Sequence, residues 1–144
     1  IKVTYDSAPF IEIDKAYLEK VYYLLPNETE AKEMFGDLDT DALLGQYPAQ
    51  LLVTMGGDGV RYHDGEMAVH VPAIKGNVVD TTGAGDTFSG AFTVALSKGN
   101  SLADAIQFAS IAGSLSVQKF GAQGGMPTID ALKTHEEFND SWQV

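Results

Sequence analysis

The sequence has 144 residues, 44% of them hydrophobic and 20% charged, and no cysteine. A chain of that length buries about 68–70% of its unfolded surface and needs no disulfide or structural metal to fold; the missing thiols also remove Cys-ligated zinc and thiol catalysis. Nine Lys and Arg against 20 Asp and Glu leave a formal charge of −11. That balance argues against a basic surface for nucleic acid or an anionic membrane, and no apolar run reaches the roughly 20 residues of a membrane span.

Ile1 to Asp6 alternates as a strand does, and Ser7-Ala8-Pro9 closes it. The chain opens inside an element, with no initiator Met and no signal pattern, as a piece of a longer cytoplasmic polypeptide would. Ile11, Ile13, Tyr17, Leu18 and Val21 form an amphipathic stretch with a short helix from about Asp14. Tyr22 to Leu25 is an apolar run stopped by Pro26 and reads as a buried strand; Asn27 then opens a helix that runs to Met34 or Phe35 and ends at Gly36. Asp37 to Gln46 predicts a loop and one short helix, and Gln50 to Thr54 a second buried strand, followed by Met55-Gly56-Gly57-Asp58-Gly59. Val60 to His63 and Glu66 to Val71 flank Asp64-Gly65, a favoured two-residue turn, which predicts an antiparallel hairpin excursion around residues 60–71.

Pro72 to Val79 is extended, and Asp80 to Asp86 turns into a small-residue helix, Thr87 to Lys98, stopped by Gly99. Ser101 caps a further helix with Asp104 in the reciprocal position, and Ile106, Ala109, Ala112, Gly113 and Val117 mark its packing face. Phe120 to Pro127 is a Gly-rich loop before a last helix from Thr128 toward Phe138. Strands alternating with helices, without repeats or an interdomain linker, predict one α/β domain with a mainly parallel sheet flanked by helices.

Three constellations can carry chemistry. Gly83-Ala84-Gly85 stands where an extended segment meets a helix, so unhindered N–H groups converge beside the positive end of the helix dipole, an anion site. Asp86 follows in the first turn. It either complements the dipole or accepts a proton from a hydroxyl while the amides hold a transferring phosphoryl group. Asp80, ahead of two threonines, favours the second alternative because no cap requires it. Asn27 with Glu30 is either a capping box or an organiser of water and Mg²⁺ around phosphates at a strand end. Thr54 with Gly56, Gly57 and Gly59 permits close approach of a nucleotide but matches no standard Gly-rich fingerprint. His63, His70 and His135 share no ligand spacing, and Asp37, Asp39 and Asp41 lack the glycine and glutamate of a calcium loop.

In order, Asn27 to Glu30, Thr54 to Gly59 and Asp80-Thr81-Thr82-Gly83-Ala84-Gly85-Asp86-Thr87-Phe88-Ser89-Gly90 resemble the ribokinase-like (PfkB-type) carbohydrate kinases, and Lys119 to Pro127 is similar to the ribokinase branch of that family. The resemblance spans nearly the whole chain, 1–144, as the C-terminal, nucleotide-binding portion of the family's fold, without its N-terminal strands and lid. It implies transfer of the γ-phosphoryl group of ATP to a sugar hydroxyl, ribose first, with fructose, deoxygluconate or a nucleoside as alternatives, or else a nucleotide-binding fragment without turnover. Asp86 would be the base, and the amides of Gly83, Ala84 and Gly85 the anion hole. Asn27 and Glu30 would arrange Mg²⁺, and Thr54, Gly56, Gly57, Gly59 and Ser110 would line the nucleotide. Asp80 and Thr82, with the carbonyls of Ser116, Lys119 and Gly121, match a site for K⁺ or a similar ion, and the family often carries a hydroxyl side chain where Gly125 stands. The connection from Gly36 to Gln50 is short for the family, implying a trimmed helix. The missing half implies an incomplete sugar pocket and an exposed sheet edge, hence self-association or pairing with an N-terminal portion.

Overall fold

A computed structural model describes residues 1–12 and 14–144; Ile13 of the amphipathic stretch lies outside the described residues. The chain forms two compact units, Ile1–Pro72 and Ala73–Val144.

In the first unit, strand β1 (Thr4–Tyr5) runs parallel to β2 (Tyr23–Leu24), with Thr4 opposite Tyr23 and Tyr5 opposite Leu24. Helix α1 (Lys15–Leu18) joins them. Parallel bridges from Leu24 to Leu51 and from Asn27 to Thr54 extend this pairing to β3 (Leu52–Thr54). From there the pairing is antiparallel, through β4 (Val60–His63) to β5 (Ala68–Val71). The continuous apolar runs have the reason expected of strands covered on both faces: Leu51 and Leu52 are fully buried and Leu24 and Leu25 nearly so. Leu24, Leu51 and Val53 share one cluster with Ala31 of α2 (Glu28–Phe35) and Leu43 and Leu44 of α3 (Thr40–Gln46), the helix that fills the short Gly36 to Gln50 connection.

The hairpin differs from the expected two-residue turn. His63 pairs with Ala68, leaving a four-residue loop, residues 64–67. The Asp64 carboxylate accepts the N–H groups of Glu66 and Met67, each at 2.8 Å, and so takes the amides that a tighter turn would have given to strand pairing. Those two bonds hold the Asp64 carboxyl below the usual carboxylate range.

In the second unit, α4 (Ala84–Ser97) and α5 (Leu102–Ser116) pack against each other, and α6 (Ala122–Gly125) and α7 (Ile129–Lys133) follow. Phe88, Phe92 and Ala95 are the buried apolar face of α4, and Ile106, Ala109 and Ala112 belong to that of α5. Helix α4 begins three residues before the predicted Thr87. The segment expected to be a loop holds α6, and the last helix ends at Lys133, with turns reaching Phe138 and Trp142. Among the described residues no helix is long and apolar enough to cross a membrane.

The C-terminal turns are anchored at the start of α5. Ser101 accepts the Asp104 N–H at 3.1 Å, and its hydroxyl donates to Asp104 Oδ2 at 2.5 Å; the other carboxylate oxygen accepts the Trp142 indole N–H at 2.9 Å. Trp142 packs edge-on against Phe108 and Phe138, at centroid distances of 5.9 and 5.3 Å. The Ser101 hydroxyl, and after it the indole, hold the Asp104 carboxyl below its ordinary range. A depressed carboxylate contributes stability that is complete above its unfolded pKa and lost as the pH falls through its folded one. The emission of Trp142, the sole tryptophan, is therefore expected to change on acidification with a midpoint below the ordinary aspartate range, and Asp104→Asn should abolish that transition while leaving the remaining acid titration.

Candidate functional site

The expected site residues form two sets, one in each unit. In the second unit Gly83 precedes α4 with φ 77° and ψ 8°, the left-handed region that glycine enters without penalty. A Cβ there would lie 2.8 Å from the Ala122 Cβ and 3.0 Å from its Cα. Both backbone and space require glycine. The Thr87 N–H returns to the Gly83 carbonyl at 2.9 Å, which is why the helix starts at Ala84. Of the three amides expected to converge, that of Ala84 donates to the Thr81 carbonyl at 3.2 Å, whereas those of Gly83 and Gly85 have no protein acceptor among the described residues. Gly85 is helical and its Cβ would meet nothing within 4 Å, so the protein itself gives no reason for glycine there. Asp86 is exposed in the first turn of this 14-residue helix.

Asp80 ties this turn to α6. Its Oδ1 accepts the Thr82 hydroxyl at 2.7 Å and the Thr82 N–H at 2.9 Å; its Oδ2 accepts the Gly121 N–H at 2.9 Å. The Thr82 hydroxyl, then the two N–H groups, hold its carboxyl below the usual range. Gly125 is buried against the end of α5, where a Cβ would run into the Ser116 carbonyl oxygen, and its N–H donates to the Gly121 carbonyl at 2.9 Å. Asp80, Thr82, Ser116 and Gly121 thus meet around α6, while Lys119 is exposed beside them. Ser110 sits midway along α5, its hydroxyl donating to the Ile106 carbonyl at 2.8 Å. Sequence reasoning missed Thr87, which is buried with its hydroxyl lacking a hydrogen-bond partner among the described residues; only its place after Asp86 could have singled it out.

In the first unit, Asn27 Oδ1 accepts the Glu30 N–H at 2.9 Å and Glu30 Oε2 accepts the Asn27 N–H at 2.8 Å, a complete capping box. Glu30 is buried, and the buried Ser7 hydroxyl also reaches its Oε2, at 3.4 Å. That contact, 23 residues away in sequence, leaves no local pattern to read. Asn27 bridges to Thr54, so both stand at the carboxyl ends of adjacent parallel strands, where open α/β sheets receive ligands. Gly56, at φ 52°, and Gly57 form a 3₁₀ turn with Asp58, closed by Gly59 at φ 101°. The remaining candidates have local roles. His63, His70 and His135 each bond nearby backbone, Asp37 pairs with Lys32 and Asp41 with Arg61, and Asp39 caps α3. Among the described residues no group of three or more His, Cys, Asp or Glu could hold a metal ion.

Free amides at a helix start and glycine-rich turns are features that favour anions. The model of the pfkB family of carbohydrate kinases matches residues 2–129, and the chain belongs to that family. It is 50% identical to the ribokinase of Lactococcus lactis and 46% identical to that of Bacillus subtilis. In both cases 92% of this chain is covered, but only 44% and 45% of the relatives. Among solved structures, the Arabidopsis thaliana ribokinase complexed with ribose and ATP superposes with a TM-score of 0.84 at 32% identity, covering 96% of this chain and 48% of that one. The Thermotoga maritima ribokinase gives 0.83 at 33%, covering 92% and 48%. The chain therefore has the ribokinase α/β fold and spans about half the length of the relatives it matches.

Gly83→Ala is expected to lower stability by about 1–3 kcal/mol, because the new methyl adopts a strained φ and strikes Ala122. Chemical denaturation checks this; an unchanged midpoint would contradict the geometry of the turn.

Proposed function

We propose that this chain supplies the ATP-binding and phosphoryl-transfer residues of a sugar kinase, with ribose as the acceptor. The observation that carries the proposal is the start of α4: two amides without protein acceptors among the described residues, beside a glycine that the fold does not need, followed directly by an exposed carboxylate. Asp86 takes the proton of the sugar's primary hydroxyl as that oxygen bonds to the γ-phosphorus. The bond from the γ-phosphorus to the bridging oxygen breaks, and ADP leaves. The amides of Gly83 and Gly85, joined by that of Ala84 once it releases Thr81, hold the charge on the phosphoryl oxygens where it develops.

Thr54, Gly56, Gly57 and Gly59 line the nucleotide in this proposal. The donor set around Asn27 fits Mg²⁺ held through water, because Glu30 Oε1 accepts none of the capping bonds and carboxylate and amide oxygens are the ligands this ion takes. When bound, the ion neutralises phosphate charge.

Asp86→Asn tests the role of the base. Removing a negative charge from an anion site should leave Mg·ATP binding, measured by calorimetry, unchanged or tighter, while ribose-dependent ADP formation falls about 100-fold or more. Binding weakened by the substitution, or turnover that survives it, would contradict the assignment.

A further inference from the structure

The family resemblance implies a monovalent cation held by Asp80, Thr82 and the carbonyls of Ser116, Lys119 and Gly121. The residues of this chain do not fit it. Both carboxylate oxygens of Asp80 already accept protein donors, and the Gly121 carbonyl accepts the Gly125 N–H at 2.9 Å. Gly125 brings no hydroxyl, and no side chain could enter there, because a Cβ would run into the Ser116 carbonyl oxygen that the ion would need. A site assembled from these atoms would have to share oxygens that already accept four protein hydrogen bonds.

We propose instead that Asp80 is a positioning residue that holds the glycine turn directly, with no monovalent cation in the role. Its two oxygens span from Thr82, one residue before Gly83, to Gly121, one residue before the Ala122 that fills the space beside Gly83. Gly125, seated on the Ser116 carbonyl, fixes the far end of the same four-residue helix to α5. The turn carrying the Gly83 and Gly85 amides is thereby braced at both sides. The functional part of this proposal rests on that turn being the phosphate site.

Amide hydrogen exchange at Gly121, followed by NMR on the whole chain, tests the brace without nucleotide. In tetramethylammonium chloride the Gly121 amide should exchange slowly, and potassium chloride at equal ionic strength should leave the rate within about twofold, since an ion that does not bind the native state cannot protect it. Asp80→Ala should accelerate exchange about tenfold or more in both salts, as loss of a charge-assisted bond requires, and should shift the Gly83 and Gly85 amide resonances. Asp80→Asn, which keeps an acceptor oxygen, should restore most of the protection. Gly125→Ser should speed exchange by pushing α6 off α5. Saturable slowing by potassium in the wild type, an unaffected Asp80→Ala, or a Gly125→Ser chain that gains potassium-dependent protection would each overturn the proposal. Resonance shifts of Gly83 and Gly85 on adding Mg·ATP report the phosphate site separately; their absence, with the exchange pattern intact, would reject the phosphate site and leave the brace.

Discussion

The second unit is organised around one steric fact: Gly83 stands in the left-handed region with Ala122 occupying the space of its missing side chain. The backbone reverses there without a Cβ penalty of about 1–2 kcal/mol, and α4 can begin at Ala84. Everything chemical about the helix start follows from that placement. Asp86 falls in the first turn, the Gly83 and Gly85 amides have no protein acceptor among the described residues, and Thr87 is turned inward. Were the helix to start at Thr87, Asp86 would precede it and the glycines would be an ordinary loop.

A carboxylate at a helix N-terminus is electrostatically comfortable, worth about 0.3–1 kcal/mol at an exposed position. Charge complementarity therefore explains Asp86 without any function, and it is the glycines that decide. Gly83 is required by the fold, whereas Gly85 is helical and open on its Cβ side. A helical glycine costs about 0.5–1 kcal/mol relative to alanine, a cost that no contact within the fold offsets at Gly85. Asp80 shows the reverse. The sequence offered no cap for it, yet its three hydrogen bonds give it a structural duty that needs no ligand.

Elements whose cause is local were legible in the sequence. Asn27 with Glu30 and Ser101 with Asp104 announce caps that the structure forms, and Leu51 and Leu52 announce a strand buried on both faces. What escaped was set at a distance. The Asp64 carboxylate widened the hairpin by capturing two amides, Ser7 reached Glu30 across 23 residues, and Gly125 became indispensable through a carbonyl on another helix. The motif from Asp80 to Gly90 sufficed to place the chain in its family. It could not reveal that Asp80 is already bonded to Thr82 and Gly121.

If the start of α4 is shaped for a phosphate group and not for the fold alone, Gly85→Ala separates the two. With no neighbour within 4 Å, the methyl should raise stability by about 0.5–1 kcal/mol and yet weaken Mg·ATP binding about tenfold, ~1.4 kcal/mol, or more. Higher stability with unchanged nucleotide affinity would show that nothing approaches Gly85, and would contradict the claim.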